Sequence, residues 1–139
     1  MAVKVAGMWE LGWSAPITEY DLWEMMLRDF GVDEFYMSPV SGIQKQITEV
    51  PDITDAITAN PTLTVVFVDE HADTPLKDFV HPKDVLYVFG KANCSVFLSM
   101  KREDDLAVRI ETNSKSLGLL WPHQAAAIVL YDRLVKLWR

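Results

Sequence analysis

The sequence has no long hydrophobic run, which excludes a membrane-spanning helix. Its longest uninterrupted apolar stretch, residues 125–131, is far shorter than the roughly 20 residues that such a helix needs. Residues 1–8 carry one charge and a short apolar stretch, a pattern typical of a strand rather than of a signal peptide. We therefore expect a cytoplasmic protein with no membrane partner.

Cysteine and positive charge are both scarce. Cys94 is the single cysteine, so the chain forms no internal disulfide and no cysteine-rich zinc site, which fits a reducing compartment. We favour a small buried residue for Cys94 over a nucleophile near His123. The chain has 13 Lys and Arg against 20 Asp and Glu, a net charge of −7. This balance argues against nonspecific binding of nucleic acid but leaves RNA open.

Common ligand-binding and catalytic motifs are missing as well. Neither G-x-G-x-x-G nor G-x-x-x-x-G-K occurs, so the chain has no dinucleotide fingerprint and no P-loop. G-x-S-x-G is also absent, which removes the nucleophile elbow of the α/β-hydrolases.

The residues that are present indicate one domain of alternating strands and helices. A chain of 139 residues can bury roughly two-thirds of its unfolded surface, which is enough for one core over residues 1–139. Apolar β-branched runs predict strands, and apolar residues at helical spacing predict helices. The predicted strands are residues 4–11, 33–40, 62–69, 84–90 and 106–112. The predicted helices are residues 17–30, a polar helix over 43–58 broken at Pro51, a short helix between the third and fourth strands, and 122–138.

Local signals mark three of the helix ends. Thr18 is the predicted N-cap of the first helix, and Gly31 is its predicted C-terminal stop. Asp52 is the predicted cap of the short helix that follows Pro51.

The third and fourth strands predict the fold class. Both are almost continuously apolar, which is typical of parallel strands buried on both faces. We therefore predict an α/β fold, a mostly parallel sheet covered by helices on both faces. In such sheets a ligand site lies beyond the carboxyl ends of the strands, here after Asp69, Gly90 and Thr112.

Acidic and histidine side chains crowd the end of the third strand. Asp69, Glu70, His71, Asp73 and His81 include groups that bind divalent metals. Their spacing matches no recognised metal motif, so we favour a solvated loop and expect no metal.

The start of the last helix is a second candidate site. His123 and Gln124 lie in its predicted first turn, where side chains and free backbone N–H groups bind electronegative ligands. Alternatively, His123 caps the helix or lies exposed.

Tryptophan is a candidate for stacking on nucleobases, although it is more often a core or interface residue. The candidates for stacking are Trp9, Trp13 and Trp121, whereas Trp23 and Trp138 are expected to pack helices.

Several short motifs occur in a fixed order along the chain. In the C-terminal half they are His81-Pro82-x-Asp84-Val-Leu-Tyr-Val-Phe89-Gly90, Ala107-Val-Arg-Ile110-Glu-Thr112, Ser114-Lys-Ser116-Leu117 and Ala125-Ala-Ala-Ile-Val-Leu-Tyr131-Asp132. In the N-terminal half, Phe30-Gly31 is followed by residues 33–39 and Gly42. Together these motifs resemble the SPOUT (alpha/beta knot) methyltransferases, especially the branch that methylates ribose 2′-hydroxyls of tRNA or rRNA.

The resemblance implies a trefoil knot near the C-terminus, a site for S-adenosylmethionine (SAM) inside the knot, an RNA substrate and a homodimer. The implied cofactor-binding residues are Val68, Asp69, Phe89, Gly90, Lys91, Ile110, Thr112, Leu117 and Leu120. By their position relative to these motifs, the candidate catalytic residues are Arg28, Ser116 and His123. We expect Arg28 to orient a phosphate or the hydroxyl, Ser116 to position the acceptor and His123 to take the proton.

Composition also favours a dimer. Five Trp, six Phe and six Met exceed the large apolar side chains that a core of this size hides. The last helix, with Leu134, Leu137 and Trp138, is the predicted shared surface.

Three positions depart from the pattern of the family. Met25 stands where the family has a catalytic arginine, Lys91 where it has glutamate, and Gly118 where it has asparagine. Two alternatives therefore stay open. One is an inactive SAM-fold protein that binds RNA or another partner, and the other is an α/β domain unrelated to the knot class.

Overall fold

The computed structural model describes residues 1–9, 16–91, 97–113 and 120–137 of the chain. Strands and helices alternate in these residues. In chain order they are β1 (Val3–Met8), α1 (Pro16–Asp29), β2 (Glu34–Ser38), β3 (Thr48–Glu49), α2 (Ile53–Thr58), β4 (Thr64–Val68), β5 (Val85–Phe89), β6 (Leu106–Val108) and α3 (Pro122–Leu137). Two short 3₁₀ helices, Leu76–Asp78 and Phe97–Met100, flank β5 along the chain.

All of these strands run parallel in one sheet, in the order β3-β2-β1-β5-β4-β6. α1 and α3 cover one face, where Trp23 and Val129 join the same core cluster. α2 covers the other face through Ile53, Ala56 and Ile57. The predicted α/β fold is confirmed, and its sheet is parallel throughout the described residues. The trefoil knot and the single domain over the whole chain stay predictions.

The central strands are apolar on both faces, as their sequences predict. In β4, Val66 packs with the cluster of α1 and α3, whereas Val65 and Phe67 pack with α2. In β5, Tyr87 and Leu86 divide between the two clusters in the same way. Successive side chains of a strand point to opposite faces, so each central strand contributes to two cores. No helix in the described part of the chain is long and apolar enough to cross a membrane.

α3 runs opposite to the strands, which decides what lies at each edge of the sheet. Near its end, Arg133 donates hydrogen bonds to the carbonyl oxygens of Pro82 and Lys83, just before β5 begins. Near its start, the ring of His123 contacts Trp23, which in turn contacts the last residue of β5. The first turn of α3 therefore lies at the edge where the strands end.

The prediction of a polar helix before Pro51 is wrong. These residues form a loop and the two-residue strand β3, which pairs with β2. The Glu49 carboxylate accepts hydrogen bonds from the backbone N–H groups of Ser41, Gly42 and Ile43. A mostly polar segment has little apolar surface for a helix to bury, and short helices depend on such packing for their stability.

The three predicted helix ends have different outcomes. Asp52 caps α2 in a capping box, because it accepts N–H groups of the first turn while the Asp55 carboxylate accepts the Asp52 N–H. Gly31 ends α1 with φ of +66°, the left-handed conformation that favours glycine. Thr18 does not cap α1, because the helix already begins at Pro16, a residue suited to the first helical position.

Candidate functional site

The carboxyl ends of β4, β5 and β6 lie side by side. Val68, the last residue of β4, pairs with Phe89 of β5 on one side and with Val108 of β6 on the other. The backbone N–H of Asp69 donates to the carbonyl oxygen of Val108 at 3.0 Å. The chain therefore leaves the three strands at one edge of the sheet, which we call the carboxyl edge. The opposite edge, where the strands begin, is the amino edge.

The predicted cofactor-binding residues that the structure describes lie at or next to the carboxyl edge. The buried ones are Val68 and Phe89, the half-buried ones are Asp69, Gly90, Ile110 and Leu120, and the exposed ones are Lys91 and Thr112. Leu117 lies outside the described residues. This set combines apolar surface, a carboxylate and a residue without a side chain, and its binding of a cofactor stays a prediction.

Arg109 ties together the segments that follow β4 and β6. Its Nη1 donates to the carbonyl oxygens of Ala72 and Asp73, at 3.1 and 2.5 Å. Its backbone N–H donates to the carbonyl oxygen of Thr74 at 2.9 Å. β6 therefore ends at Val108, earlier than predicted, because the next residues bind this loop. Sequence analysis missed the role of Arg109, since its position within an apolar run predicts only a strand.

The acidic and histidine residues that follow β4 separate into two places. On an exposed loop at the carboxyl edge, His71 Nδ1 lies 3.2 Å from Asp69 Oδ1. His81 is buried elsewhere, with Nε2 2.7 Å from Asp132 Oδ2 and Nδ1 2.7 Å from Tyr87 Oη. Among the described residues, no group of three or more His, Cys, Asp or Glu side chains is placed to hold a metal ion.

His123 lies in the first turn of α3 between two tryptophan rings. Its ring centroid is 6.4 Å from that of Trp23 and 5.9 Å from that of Trp121, and both contacts are edge to face. The Nδ1 atom is buried and has no hydrogen-bond partner among the described residues. Burial lowers the pKa of His123, so the neutral ring is favoured. Gln124, rather than His123, caps α3, because its Oε1 accepts the backbone N–H of Trp121.

Trp23 connects His123 to the sheet. The Trp23 ring is fully buried and lies 6.1 Å from the ring of Phe89, the last residue of β5. The predicted packing role of Trp23 is confirmed by this position in the core. Since β5 ends at Phe89, these ring contacts place His123 at the carboxyl edge, with the Trp23 ring between it and Phe89.

The other two predicted catalytic residues are not brought to His123 in the described structure. Arg28 lies in the last turn of α1, pairs with Glu24 and has a side chain 75% exposed. It lines a cavity of about 480 Å³ together with Asp33, just before β2 begins. Arg28 is therefore at the amino edge of its own chain. Ser116 lies outside the described residues.

The tryptophans that were candidates for base stacking differ in exposure. Trp9 is 1% exposed, and its Nε1 donates to the carbonyl oxygen of Pro39 at 2.9 Å. Trp9 is therefore not a surface for base stacking, because its ring belongs to the core. Trp121 is 39% exposed. Trp13 and Trp138 lie outside the described residues.

Comparison with known proteins finds similarity at the level of structure. No protein-family model and no curated protein matches the sequence. Among solved structures, a candidate RNA methyltransferase from Bacillus anthracis is 13% identical, with a TM-score of 0.71 over 97% of this chain and 94% of that one. An RNA 2′-O ribose methyltransferase is 14% identical, with a TM-score of 0.74 over 97% of this chain and 56% of that one.

A third similar structure was solved with a cofactor. The SpoU methyltransferase AviRb from Streptomyces viridochromogenes, in complex with AdoMet, is 16% identical, with a TM-score of 0.71 over 97% of this chain and 57% of that one. The chain thus spans nearly all of the Bacillus anthracis protein and a little over half of the other two. At these identities the likeness establishes a shared fold.

Proposed function

We propose that this chain is a SAM-dependent methyltransferase that acts on a ribose 2′-hydroxyl of tRNA or rRNA in the cytoplasm. The observation that carries the proposal is the position of His123, a half-buried imidazole whose Nδ1 has no hydrogen-bond partner among the described residues and which Trp23 connects to the end of β5. The fold, which the chain shares with RNA methyltransferases that include an AdoMet complex, supports this choice of reaction.

The residues at the carboxyl edge fit SAM in their chemistry. Half-buried Ile110 and Leu120 offer apolar surface to an adenine. Gly90 has no side chain, so a ligand can approach its backbone closely. The carboxylate of Asp69 is an acceptor for hydroxyl or ammonium groups. The Nδ1 of His123, buried and without a partner in the described part of the chain, is the kind of polar atom to which a ligand can supply a hydrogen bond.

His123 is the proposed proton acceptor. SAM, when bound, supplies a sulfonium methyl group, and methyl transfer to a hydroxyl forms an O–C bond, breaks the S–C bond and releases the hydroxyl proton. Because burial lowers the pKa of His123, the ring is neutral at neutral pH and one nitrogen can take this proton. Ser116 is proposed to position the acceptor hydroxyl beside it.

We also propose a homodimer, because α3 carries an apolar stripe on its solvent side. Ile128, Tyr131, Leu134 and Val135 are 39%, 60%, 42% and 55% exposed. An exposed apolar face of this kind marks an interaction surface, and a second copy is the partner that the sequence resemblance implies. The proposed role of Arg28 in orienting phosphate then requires that Arg28 reaches the site of the second protomer.

A second candidate function is a catalytically inactive protein that binds SAM and RNA. Met25, at the position of the catalytic arginine in the family that the sequence resembles, is 68% exposed. Arg28, the nearest described cation in α1, lies at the amino edge. A site that lacks this cation favours binding without transfer.

Calorimetric titration with SAM and with S-adenosylhomocysteine tests the cofactor site. We expect both to bind, and ligand at about 100 times its dissociation constant to stabilise the fold by roughly 2.7 kcal/mol. A matched pair of variants tests whether the cofactor binds at the carboxyl edge. Ile110→Asp, at the carboxyl edge, should abolish binding, whereas Val80→Asp, at an exposed valine elsewhere, should bind like the wild type. Absence of binding by both ligands would contradict the proposal.

Transfer of a tritiated methyl group to total RNA separates the two candidates. We expect the wild type to label RNA, and His123→Gln to lose about 100-fold or more of the rate while still binding SAM. Val80→Ala is the control, because Val80 is 83% exposed and lies outside the proposed site, and it should keep the wild-type rate. SAM binding without any label in RNA would favour the inactive protein.

A further inference from the structure

Trp121 is an exposed aromatic residue whose position is fixed by the start of α3. Its backbone N–H donates to Gln124 Oε1 at 3.0 Å, a bond that holds the entry of the chain into the helix. Its ring contacts the ring of His123 with an interplanar angle of 82°. Nevertheless 39% of the residue remains exposed. The indole is thus held beside the proposed proton acceptor without being covered by the described residues.

A row of four aromatic rings leads from the sheet to this indole. Phe89 contacts Trp23, Trp23 contacts His123, and His123 contacts Trp121. Phe89 and Trp23 are buried and His123 is half-buried. Trp121 is therefore the most exposed of the four residues.

The charge of the chain makes phosphate contacts a weak source of affinity for RNA. The net charge is −7. Of the described cations at the carboxyl edge, Arg109 donates to the carbonyl oxygens of Ala72 and Asp73, Lys77 Nζ lies 3.9 Å from Glu111 Oε2, and Lys91 is exposed. Affinity from phosphates grows with the number of charges that the protein neutralises. Contacts with the bases are a source of affinity that does not depend on positive charge.

Building on the proposed RNA methyltransferase function, we propose that Trp121 is the surface on which one base of an unpaired RNA nucleotide stacks. The stacked base would place its own or a neighbouring ribose near His123. Stacking on an aromatic ring requires no positive charge, because every base has a π-face. The nucleotide must be unpaired, since neighbours in a duplex cover both faces of a base.

Fluorescence anisotropy with a labelled single-stranded RNA tests this proposal, with the corresponding duplex as the competing ligand. Trp121→Ala should weaken binding of the single strand by about 10-fold or more, whereas Trp121→Phe, which keeps an aromatic ring, should retain most of it. Val80→Ala, which alters an 83% exposed residue elsewhere, should bind like the wild type. Wild-type affinity should fall less than about 10-fold between about 50 and 200 mM salt.

The same proteins are titrated with SAM, so that the two proposals fail separately. SAM binding by wild type and Trp121→Ala, with weaker RNA binding by Trp121→Ala alone, supports stacking. Equal RNA binding by the two proteins overturns stacking but leaves the SAM site intact. Loss of RNA binding by Trp121→Ala without any SAM binding by the wild type supports stacking and overturns the methyltransferase. Stacking is overturned if the wild type does not bind single-stranded RNA. It is also overturned if Trp121→Ala dissociates into monomers in sedimentation but binds RNA like the wild type.

Discussion

His123 is the residue on which the proposed chemistry depends, and its surroundings give activity a defined pH dependence. Burial lowers the pKa of its imidazole from the ordinary value near 6.5. Only the neutral ring accepts a proton, so the rate should rise as pH increases through the lowered pKa and be constant at about pH 7 and above. kcat/KM measured from about pH 5 to about pH 8 checks this. Val80→Ala, at an exposed valine outside the site, should show the same profile, and a rate that still rises beyond about pH 7.5 would exclude neutral His123 as the acceptor.

Gly7 is a residue whose lack of a side chain is required by packing. A Cβ at position 7 would lie 3.0 Å from both Met37 Sδ and Trp23 Cζ2, and both neighbours are fully buried. Gly7→Ala should therefore lower the free energy of unfolding by about 1–3 kcal/mol, measured by urea denaturation. Gly42→Ala is the comparison, since a Cβ there meets nothing within 4 Å but the φ of +79° is unfavourable, and about 1 kcal/mol is expected. Unchanged stability of Gly7→Ala would contradict tight packing here.

At the scale of elements, a buried hydrogen-bond network fixes α3 to β5. The Asp132 carboxylate can only accept, so His81 Nε2 donates to it and His81 Nδ1 accepts from Tyr87 Oη. Tyr87 Oη in turn accepts from Arg133 Nη1 at 3.2 Å. Burial raises the pKa of Tyr87 to about 12, so its hydroxyl keeps the proton that it donates. The orientation of α3, and with it the position of His123, depends on this network.

Tyr87→Phe tests the network, because it removes the hydroxyl that His81 and Arg133 share. Two buried groups then lose a partner, and the free energy of unfolding should fall by about 1–3 kcal/mol. Val80→Ala is the control, since Val80 is 83% exposed and lies outside the apolar stripe of α3, and it should change stability by less than about 0.5 kcal/mol. Equal stabilities of the two variants in urea would show that the network does not hold α3.

Buried His81 and half-buried His123 give the free energy of unfolding a pH dependence of known sign. Burial lowers the folded-state pKa of His81 and of His123, so below about pH 6.5 the unfolded chain binds more protons than the folded one. The free energy of unfolding should therefore be constant near neutral pH and fall as the pH drops below about 6.5. Urea denaturation at several pH values checks this. His123→Gln should reduce the dependence, whereas a pH-independent wild type would refute the assignment.

At the scale of the whole molecule, the apolar stripe of α3 predicts the assembly state. Val135→Asp puts a charge into this stripe, where Val135 is 55% exposed, and burying that charge between two copies is costly. We expect a wild-type dimer and a Val135→Asp monomer in analytical ultracentrifugation at micromolar concentration. Val80→Asp introduces the same charge at an 83% exposed valine elsewhere and should remain a dimer. A monomeric wild type would contradict the proposed interface.

Much of the fold was predictable because local patterns and burial agree. The apolar runs of β4 and β5 and the periodicity of α1 identify these elements, and Gly31 and Asp52 mark ends that the structure confirms. The loop before Pro51 was not predictable, because the Glu49 carboxylate stabilises it by accepting hydrogen bonds from backbone N–H groups six to eight residues earlier in the chain. Periodicity in polar residues carries no information about such contacts.

The sequence predicted where the candidate site lies better than it predicted which residues contact one another there. Parallel strands identify the carboxyl edge as the place for a ligand, and the first turn of the last helix singles out His123. The sequence does not reveal that Arg109 binds the loop after β4. Nor does it reveal that His81 forms a hydrogen bond with Asp132, 51 residues away, rather than with the acidic residues that follow β4. The sequence also does not show at which edge of the sheet Arg28 lies. Because α1 runs opposite to the strands, its last turn, with Arg28, lies at the amino edge.

By itself, the sequence determined the parallel α/β class, the main elements and the residues that carry chemistry, because these follow from the spacing of apolar side chains and from side-chain type. Only the tertiary structure decided which of those residues meet. It buried Trp9 and Trp23, left Trp121 exposed, and separated Arg28 from His123. The physical reason is that contacts between distant residues depend on strand order and helix direction, which short-range patterns do not encode.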